Sequence, residues 1–389
     1  MGPTITAVET VTFTHVLEDV TRNPLGVELM YEPGAETERT THAVRIETDA
    51  GVTGEYVGGS PPGMTQARTC ADMLVGRDAL AREDIWYDLK RTLRKYDGTG
   101  IGPLDIALWD LAGTYHDSPI HELLGTYRTE LPAYVSTYSG SLTGGLDGPA
   151  AYADFAAEVR DMGFPAYKLH TWRGYDEVDV DREVATVRAV GERVGAEMDL
   201  MHDPVCEYET FGDALTVGRE LDRQGYYWYE DPYSDGSISQ HSHRKLAEML
   251  DTPILLTEQS RWVEPHADAI AADATEFVRA DPDWDGGITG AMKIARVAEA
   301  FGLDVEYHLA SPATRHCMAA TRNTNYYELG LVAPDCLVPH SEPPVYDEYT
   351  DALSAAEDGR YPVPDGPGLG VEYDWDFIEA NATRRTRHD

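Results

Sequence analysis

The chain has 389 residues, of which 42% are hydrophobic, and its 69 acidic and 31 basic residues give a formal net charge of −38. A chain of this length is usually too long to fold around a single hydrophobic core, so we expect a large and a smaller structural unit. The charge excludes binding to nucleic acid or to an anionic membrane surface. Because the chain has neither an apolar run of membrane-spanning length nor a signal-peptide pattern, we expect a cytoplasmic protein.

Lysine and cysteine are both scarce in this acidic chain. The lysines are Lys90, Lys95, Lys168, Lys245 and Lys293. Acid excess with few lysines is typical of a cytoplasm with high salt, where screening weakens self-repulsion, although an ordinary acidic protein is the alternative. The four cysteines lack CxxC spacing, which argues against a zinc site or a disulfide framework.

The first part of the chain predicts a small α+β unit. Residues 4 to 60 alternate apolar and polar side chains between turn signals, which is typical of an antiparallel meander. From Met64 to Gly125 the apolar residues recur at helical intervals. We place this unit at residues 1–130.

Beyond residue 130 short apolar runs alternate with helical stretches, which predicts successive β-α units and a parallel sheet. Eight such strands predict a (β/α)₈-type barrel over residues 131–340. The loop-rich segment 341–389 is expected to return to the first unit and complete a cap. The predicted strands are Leu131 to Tyr138, Phe164 to His170, Met198 to Asp203, Tyr226 to Glu230, Pro253 to Glu258, Glu276 to Asp281, Leu303 to His308 and Tyr326 to Leu331.

Nearly every predicted strand ends on a polar or ionisable residue. The carboxyl ends of barrel strands meet at one mouth, where the active sites of this architecture lie. Taken singly, each residue has an equally good structural explanation as a helix cap or turn residue. These residues are Lys168, His170, Asp203, Glu230, Glu258, Asp281, His308 and Glu328.

Three of these strand ends carry carboxylates at regular spacing. Asp203, Glu230 and Glu258 follow one another at intervals of 27 and 28 residues, about one β-α unit each. Side chains from three adjacent strands can therefore point at one spot, where they would repel one another unless a cation lay between them. Hard oxygen ligands without Cys or His favour Mg²⁺ over zinc or copper.

Two further pairs are candidates for moving protons. A carboxylate such as Asp281 that accepts from one ring nitrogen of His308 would fix the imidazole tautomer and leave the other nitrogen as a base. Lys168 and His170 lie two residues apart on one strand and so face the same side. Repulsion between them should lower the pKa of one and make it a usable base near neutral pH, and either could be that base.

These segments, in this order, resemble the enolase superfamily and specifically its mandelate racemase subgroup, over essentially the whole chain. The matching segments are "DIALWDLAG", "PIHELLG", "YKLH", "MHD", "YEDP", "LLTEQ", "DPDWDGGITGAMKIA", "EYHL", "YYEL" and "PDGPGLGVEY". The resemblance implies that Asp203, Glu230 and Glu258 are the Mg²⁺ ligands. It also implies that Asp281 and His308 form a His/Asp dyad.

For the remaining strand ends the resemblance implies that Glu328 hydrogen-bonds a substrate carboxylate oxygen. Lys168 and His170 match a K-x-K motif whose second position is the base and whose first position assists it. His170 replaces the second lysine, so the identity of the base stays open. Val205 stands where the family often has asparagine, which indicates different polar contacts to the substrate. His202 should point away from the mouth by alternation, and we interpret it as structural.

The resemblance also implies that the cap closes over the mouth with two loops, here residues 15–31 and 51–60. Each candidate for gripping the substrate from the cap also has a structural explanation. The cap candidates are His15, Arg22, Asn23 and Tyr56. Polar residues expected around the mouth are Ser136, Tyr138, Thr171 and Trp172.

The expected reaction is Mg²⁺-dependent removal of the proton beside a carboxylate, followed by loss of a β-hydroxyl from a sugar acid, either an aldonate or an aldarate. The resemblance and the acidic surface together predict a haloarchaeal-type sugar-acid dehydratase, a homo-oligomer acting on a small carboxylate substrate. Racemisation, epimerisation or cycloisomerisation is the alternative. A catalytically silent barrel used for binding is a second alternative, and a zinc hydrolase would want several histidine ligands.

Overall fold

The structure, a computed structural model, describes residues 2–22, 29–140, 145–170 and 178–389. It contains a curled parallel sheet surrounded by helices and an antiparallel sheet that covers one end. The predicted fold class, a modified (β/α)₈-type barrel with an α+β cap, is confirmed. The predicted domain limits at residues 130 and 340 stay a prediction.

The cap is built on a four-stranded antiparallel sheet in the order β13-β1-β2-β3. The C-terminal strand β13 pairs along β1, with Val8 opposite His388 and Thr12 opposite Arg384. Both ends of the chain therefore belong to one sheet. The strands are β1 (Ile5–Arg22), β2 (Leu29–Thr48), β3 (Thr53–Val57) and β13 (Ala382–His388).

Four helices follow the meander and join it to the barrel. The hydroxyl of Ser60 accepts a hydrogen bond from the Gly63 amide at 3.2 Å and so caps the first helix. The third helix is buried on nearly every face and packs so closely on β3 that a methyl group on Gly54 would overlap the Ala107 carbonyl oxygen. The helices are α1 (Pro61–Cys70), α2 (Arg82–Thr92), α3 (Ile101–His116) and α4 (Ile120–Leu124).

The eight barrel strands are parallel. Each begins and ends within two residues of its predicted limits. The strands are β4 (Glu130–Thr137), β5 (Ala166–His170), β6 (Asp199–Asp203), β7 (Trp228–Glu230), β8 (Ile254–Leu256), β9 (Phe277–Ala280), β10 (Asp304–Tyr307) and β11 (Tyr327–Val332). The intervening helices are α5 (Pro149–Asp161), α6 (Val180–Val194), α7 (Phe211–Gln224), α8 (Gln240–Ala247), α9 (Val263–Ala271), α10 (Gly287–Phe301) and α11 (Pro312–Ala319). The tail adds β12 (Arg360–Pro362), which pairs with β4, and α12 (Trp375–Ala380).

The strands β10 and β11 are the two ends of the sheet. They are joined by a buried side chain and not by backbone pairing. The Glu306 carboxylate accepts from the amides of Asn325 (3.1 Å) and Tyr326 (3.2 Å). Burial raises the pKa of Glu306 to about 8. The barrel is thus completed by side-chain acceptors where backbone acceptors are missing.

The hydrophobic core runs continuously from the cap helices into the barrel. Buried residues of β1, α3 and the layer between barrel and outer helices belong to one cluster. This shared core fixes the cap over the barrel mouth. No helix in the described ranges is long and apolar enough to cross a membrane.

Candidate metal and proton-transfer site

The three predicted carboxylates come together at the barrel mouth. Asp203 and Glu230 end β6 and β7, and Glu258 follows two residues after β8. One oxygen from each lies within 4.8 Å of the other two. Asp203 and Glu230 are 3% and 0% exposed. Three carboxylate oxygens this close, two of them on buried side chains, match the ligand set that Mg²⁺ prefers.

The backbone around this cluster adopts a conformation that L-residues rarely take. Four non-glycine residues just beyond strand ends have positive φ: Val205 (51°), Asp231 (36°), Thr257 (88°) and Leu309 (58°). Such conformations cost energy and concentrate at functional sites. The Val205 amide donates to Asp203 Oδ1 at 2.8 Å, so this local fold also orients a predicted ligand.

Lys168 lies beneath the carboxylates and contacts three of them. Its Nζ is 3.2 Å from Asp203 Oδ2, 2.9 Å from Glu230 Oε2 and 2.9 Å from Glu328 Oε1. Burial alone would lower the pKa of Lys168, but the charges of Glu230 and Glu328 outweigh it and raise the pKa well above its usual value. The expectation that repulsion from His170 would lower the pKa is wrong for Lys168, because negative neighbours dominate.

The sequence analysis missed a second buried cation, Arg279 of β9. Its Nε donates to Glu230 Oε1 at 2.8 Å, and its Nη2 donates to the hydroxyl of Tyr134 at 3.3 Å. With Lys168 it balances the buried carboxylates from below. An arginine inside a predicted strand, two residues before Asp281 and so on the same face, was the available signal.

Asp231, also missed, carries a buried carboxylate beside the cluster. Neither of its oxygens has a hydrogen-bond partner within the described part of the chain. Burial first, and then the charges of Glu258, Glu230 and Asp203, raise its pKa well above the usual range. An uncompensated acidic residue here is what a bound cation would stabilise.

The predicted dyad is present. His308 Nδ1 is 2.7 Å from Asp281 Oδ2, so Nδ1 carries the proton and donates it to the carboxylate. The other nitrogen, Nε2, lies 3.6 Å from Glu258 Oε2 and faces the cluster. Burial lowers the pKa of His308, but Glu258 and Asp281 outweigh it and raise the pKa to about 9.

His170 approaches the cluster from the opposite side with the same ring orientation. Its Nδ1 lies 2.5 Å from the carbonyl oxygen of Thr137, which can only accept, so Nδ1 carries the proton. Its Nε2 is 3.1 Å from Asp203 Oδ2. Two imidazoles therefore direct their Nε2 nitrogens at the carboxylate cluster from different strands.

Glu328 of β11 lies within the same group of charges. It pairs with Lys168 and accepts from the Leu309 amide at 3.1 Å. Burial would raise its pKa, but Lys168 and Arg279 outweigh this and hold the pKa far below normal. Glu328 is thus an ionised acceptor here, and its predicted contact to a substrate carboxylate stays a prediction.

Between the mouth and the cap lies a cavity of about 420 Å³. Asp281 and His308 line its barrel side, and Arg22 and Tyr56, both predicted cap candidates, line its cap side. His15 is instead buried in the cap sheet, with Nε2 3.1 Å from the hydroxyl of Thr41. Its interpretation as a cap residue that grips the substrate is therefore not supported.

The other predicted polar residues fall into three groups. Ser136 and Tyr138 are fully buried and are not among the described residues that line the cavity. His202 is fully buried and its Nε2 bonds the hydroxyl of Tyr208 at 3.0 Å, in agreement with a structural role. Three candidates lie outside the described residues: Asn23, Thr171 and Trp172.

Comparison with known proteins identifies the family. Residues 151–377 match the model described as enolase C-terminal domain-like, and residues 14–125 match the mandelate racemase / muconate lactonizing enzyme N-terminal domain. The chain is 27% identical to D-galactarolactone cycloisomerase of Agrobacterium fabrum (88% of this chain, 91% of that protein). It is 27% identical to arabinonate dehydratase of Saccharolobus solfataricus (84% and 87%).

Among solved structures, the chain is similar to D-glucarate dehydratase from Agrobacterium tumefaciens complexed with magnesium. The TM-score is 0.84 at 30% identity, and the match covers 99% of this chain and 100% of the other. Both parts of the chain, the cap and the barrel, are therefore shared with these relatives. The chain belongs to the enolase superfamily, with the N-terminal domain of the mandelate racemase / muconate lactonizing enzyme type.

Proposed function

We propose that the protein is a Mg²⁺-dependent dehydratase of sugar acids that removes the proton beside the substrate carboxylate and then expels the β-hydroxyl. One observation carries this proposal: two imidazoles face a cluster of three carboxylates whose oxygens lie within 4.8 Å of one another. That arrangement combines a cation site with a proton acceptor and a proton donor on either side of it.

Asp203, Glu230 and Glu258 would hold the metal ion. Two features of the chain support this assignment: the mutual approach of their oxygens and the unpartnered carboxylate of Asp231 beside them. Bound there, Mg²⁺ would supply Lewis-acid stabilisation of negative charge on the substrate carboxylate. Lys168 pairs with Asp203 and Glu230, and Arg279 pairs with Glu230, so these two cations balance the charge of the carboxylates from below.

We assign the removal of the α-proton to His170 Nε2. Because the Thr137 carbonyl holds a proton on Nδ1, Nε2 is the nitrogen that carries the lone pair in the neutral ring. Lys168 is the weaker candidate, since it is 1% exposed and its Nζ is committed to three carboxylates. His308, whose raised pKa keeps it protonated near neutral pH, then gives its Nε2 proton to the departing hydroxyl.

The relatives support dehydration of a sugar acid as the overall reaction. Arabinonate dehydratase and D-glucarate dehydratase are dehydratases by name, and each matches most of this chain. The cavity of about 420 Å³ above His308 has the size of a site for a small polar molecule.

Incubating the protein and Mg²⁺ with a panel of aldonates and aldarates and assaying 2-keto-3-deoxy acids tests the proposal. At least one acid should yield product, and chelation of Mg²⁺ should abolish turnover. The absence of product from every acid would refute dehydration.

A second reaction class is favoured by the similarity to D-galactarolactone cycloisomerase and by the two opposed histidines. A proton taken by one imidazole and returned by the other would give racemisation, epimerisation or ring opening. Deuterium incorporation at the α-carbon from D₂O without loss of water would identify this class.

A further inference from the structure

The cap wall of the cavity carries positive charge. Arg22 and Arg39, both from the long β1-β2 hairpin, line this wall opposite Asp281 and His308. The chain has 31 basic residues against 69 acidic ones. Two cations facing one cavity are therefore unusual for this protein, and they indicate an anionic ligand.

No residue in the described part of the chain compensates the charge of Arg39. Within residues 2–22, 29–140, 145–170 and 178–389 its guanidinium forms no ion pair and no hydrogen bond, although the residue is partly buried. The fully buried arginines are paired, Arg279 with Glu230 and Arg315 with Asp351, and the half-buried Arg82 stacks on Trp109. Burial lowers the pKa of Arg39 below its usual value, which reflects the cost of a desolvated cation.

Protein carboxylates near Arg39 do not remove this cost. Asp283 is the described carboxylate whose charge acts on Arg39. Burial, and then the charge of Asp281, raise the pKa of Asp283 and so weaken its negative charge. A ligand carboxylate is a better counter-ion, since it arrives ionised and can bind a guanidinium through two oxygens.

His340, on the loop after β11, supplies a neutral donor to the same cavity, close enough to Arg39 to feel its charge. Its Nδ1 accepts from the Leu331 amide at 2.6 Å, which leaves the proton on Nε2. Burial, and then Arg39 and His308, lower the pKa of His340 well below its usual value, so the ring stays neutral. An arginine fork with an adjacent imidazole N–H is a set of donors suited to a carboxylate.

We propose that Arg39, supported by His340, binds the second carboxylate of a sugar diacid, so that the preferred substrate is an aldarate rather than an aldonate. This inference rests on the proposed function, in which the first carboxylate lies at the metal site. The terminal hydroxymethyl group of an aldonate carries no charge to compensate Arg39. The relatives do not decide the matter, because by name one acts on arabinonate and another on D-glucarate.

The test compares D-glucarate with D-gluconate, which differ only in the terminal group. With Mg²⁺ present, kcat/KM should be at least about 100-fold higher for D-glucarate, and Arg39→Met should remove most of that preference. Turnover of D-gluconate should change less than about threefold. Arg193→Met, which removes the same charge from an outward-facing site on α6, is the matched control.

The outcomes separate the two proposals. Preference for D-gluconate, or an equal loss on both acids in Arg39→Met, would overturn the diacid assignment while dehydration stands. If neither acid is turned over, calorimetric titration of the Mg²⁺-loaded protein decides: about 100-fold weaker D-glucarate binding in Arg39→Met sustains the subsite, and unchanged or undetectable binding overturns it. Arg39→Lys, which keeps the charge, should bind D-glucarate with intermediate affinity and so exclude misfolding as the cause.

Discussion

The barrel wall and the cap wall of the cavity are built in different ways. On the barrel wall His308 pairs with Asp281, and beneath it Lys168 contacts three carboxylates. On the cap wall Arg39 has no ion-pair or hydrogen-bond partner in the described part of the chain, and His340, from the loop after β11, presents a ring N–H to the same cavity. Side chains that are paired with one another keep their geometry before a ligand binds. An unpaired cation is stabilised only when an anionic ligand binds. The barrel wall is therefore arranged for the reaction and the cap wall for recognition.

The largest effect should come from the carboxylate cluster. Burial and the charges of Asp203 and Glu230 raise the pKa of Glu258, so its ionised form opposes folding when no cation is bound. We expect Glu258→Gln to reduce kcat by more than about 10⁴-fold, because the Lewis acid no longer binds. In chelator, its free energy of unfolding should equal or exceed that of the wild type in urea titrations. Glu158→Gln on the outer face of α5 is the control, and a strongly destabilised Glu258→Gln would contradict this account.

The two histidines should differ in which step they block. His170→Asn and His308→Asn should each lose about 10²–10⁴-fold in kcat. Only His308→Asn should still exchange the α-proton with D₂O, since His170 remains to remove it. Exchange that persists in His170→Asn and disappears in His308→Asn would reverse the assignment.

A smaller loss, about 10–100-fold, is expected for Asp281→Asn, which leaves His308 in place without its carboxylate. Because Asp281 raises the pKa of His308, the alkaline limb of the kcat profile should move to lower pH. A variant with lower activity but an unmoved limb would show that Asp281 acts only through the fold.

The smallest effect is on stability and lies outside the cavity, where the tail meets the barrel. His316 Nδ1 accepts from the His121 amide at 3.2 Å and Nε2 donates to the Leu369 carbonyl at 3.0 Å. Burial lowers its pKa to about 3. The unfolded chain therefore binds a proton below pH 6.5 that the folded chain does not, so this histidine lowers stability as pH falls from 6.5 toward 3.

His316→Gln removes that titration while keeping a donor and an acceptor. The stability difference between wild type and variant should shrink by about 2 kcal/mol between pH 7 and pH 5 in urea titrations. His116→Gln, the same substitution at an exposed position of α3, is the matched control. A constant difference between wild type and His316→Gln at both pH values would contradict the buried neutral imidazole.

The sequence allowed prediction of the barrel wall because each of its residues ends a locally recognisable strand. Asp203, Glu230 and His308 could be placed at one mouth once the β-α alternation was recognised, since parallel strands end together. The charge state of Lys168 could not be predicted, because it depends on which carboxylates surround it in space. Glu306 is an acidic residue within an apolar strand, but its role in joining β10 to β11 was not predicted.

Two of the cavity residues that lie outside the barrel strands could not be predicted from the sequence, for a different reason. Arg39 lies opposite His15 in the antiparallel hairpin of β1 and β2, and this pairing places it at the cavity. His340 belongs to the loop after the last barrel strand. Neither stands at a strand end or in a motif, so nothing local distinguishes them from surface residues. His15, which lies opposite Arg39 and so on the same face of the hairpin, was among the cap candidates, but its ring is buried against Thr41.

The central claim is that one cation is shared by three carboxylates. Calorimetric titration with Mg²⁺ after dialysis against chelator tests this claim most directly. The wild-type chain should bind one Mg²⁺ per chain, Glu258→Gln should bind none, and Glu158→Gln should match the wild type. Absence of binding in the wild type, or undiminished binding in Glu258→Gln, would contradict the account.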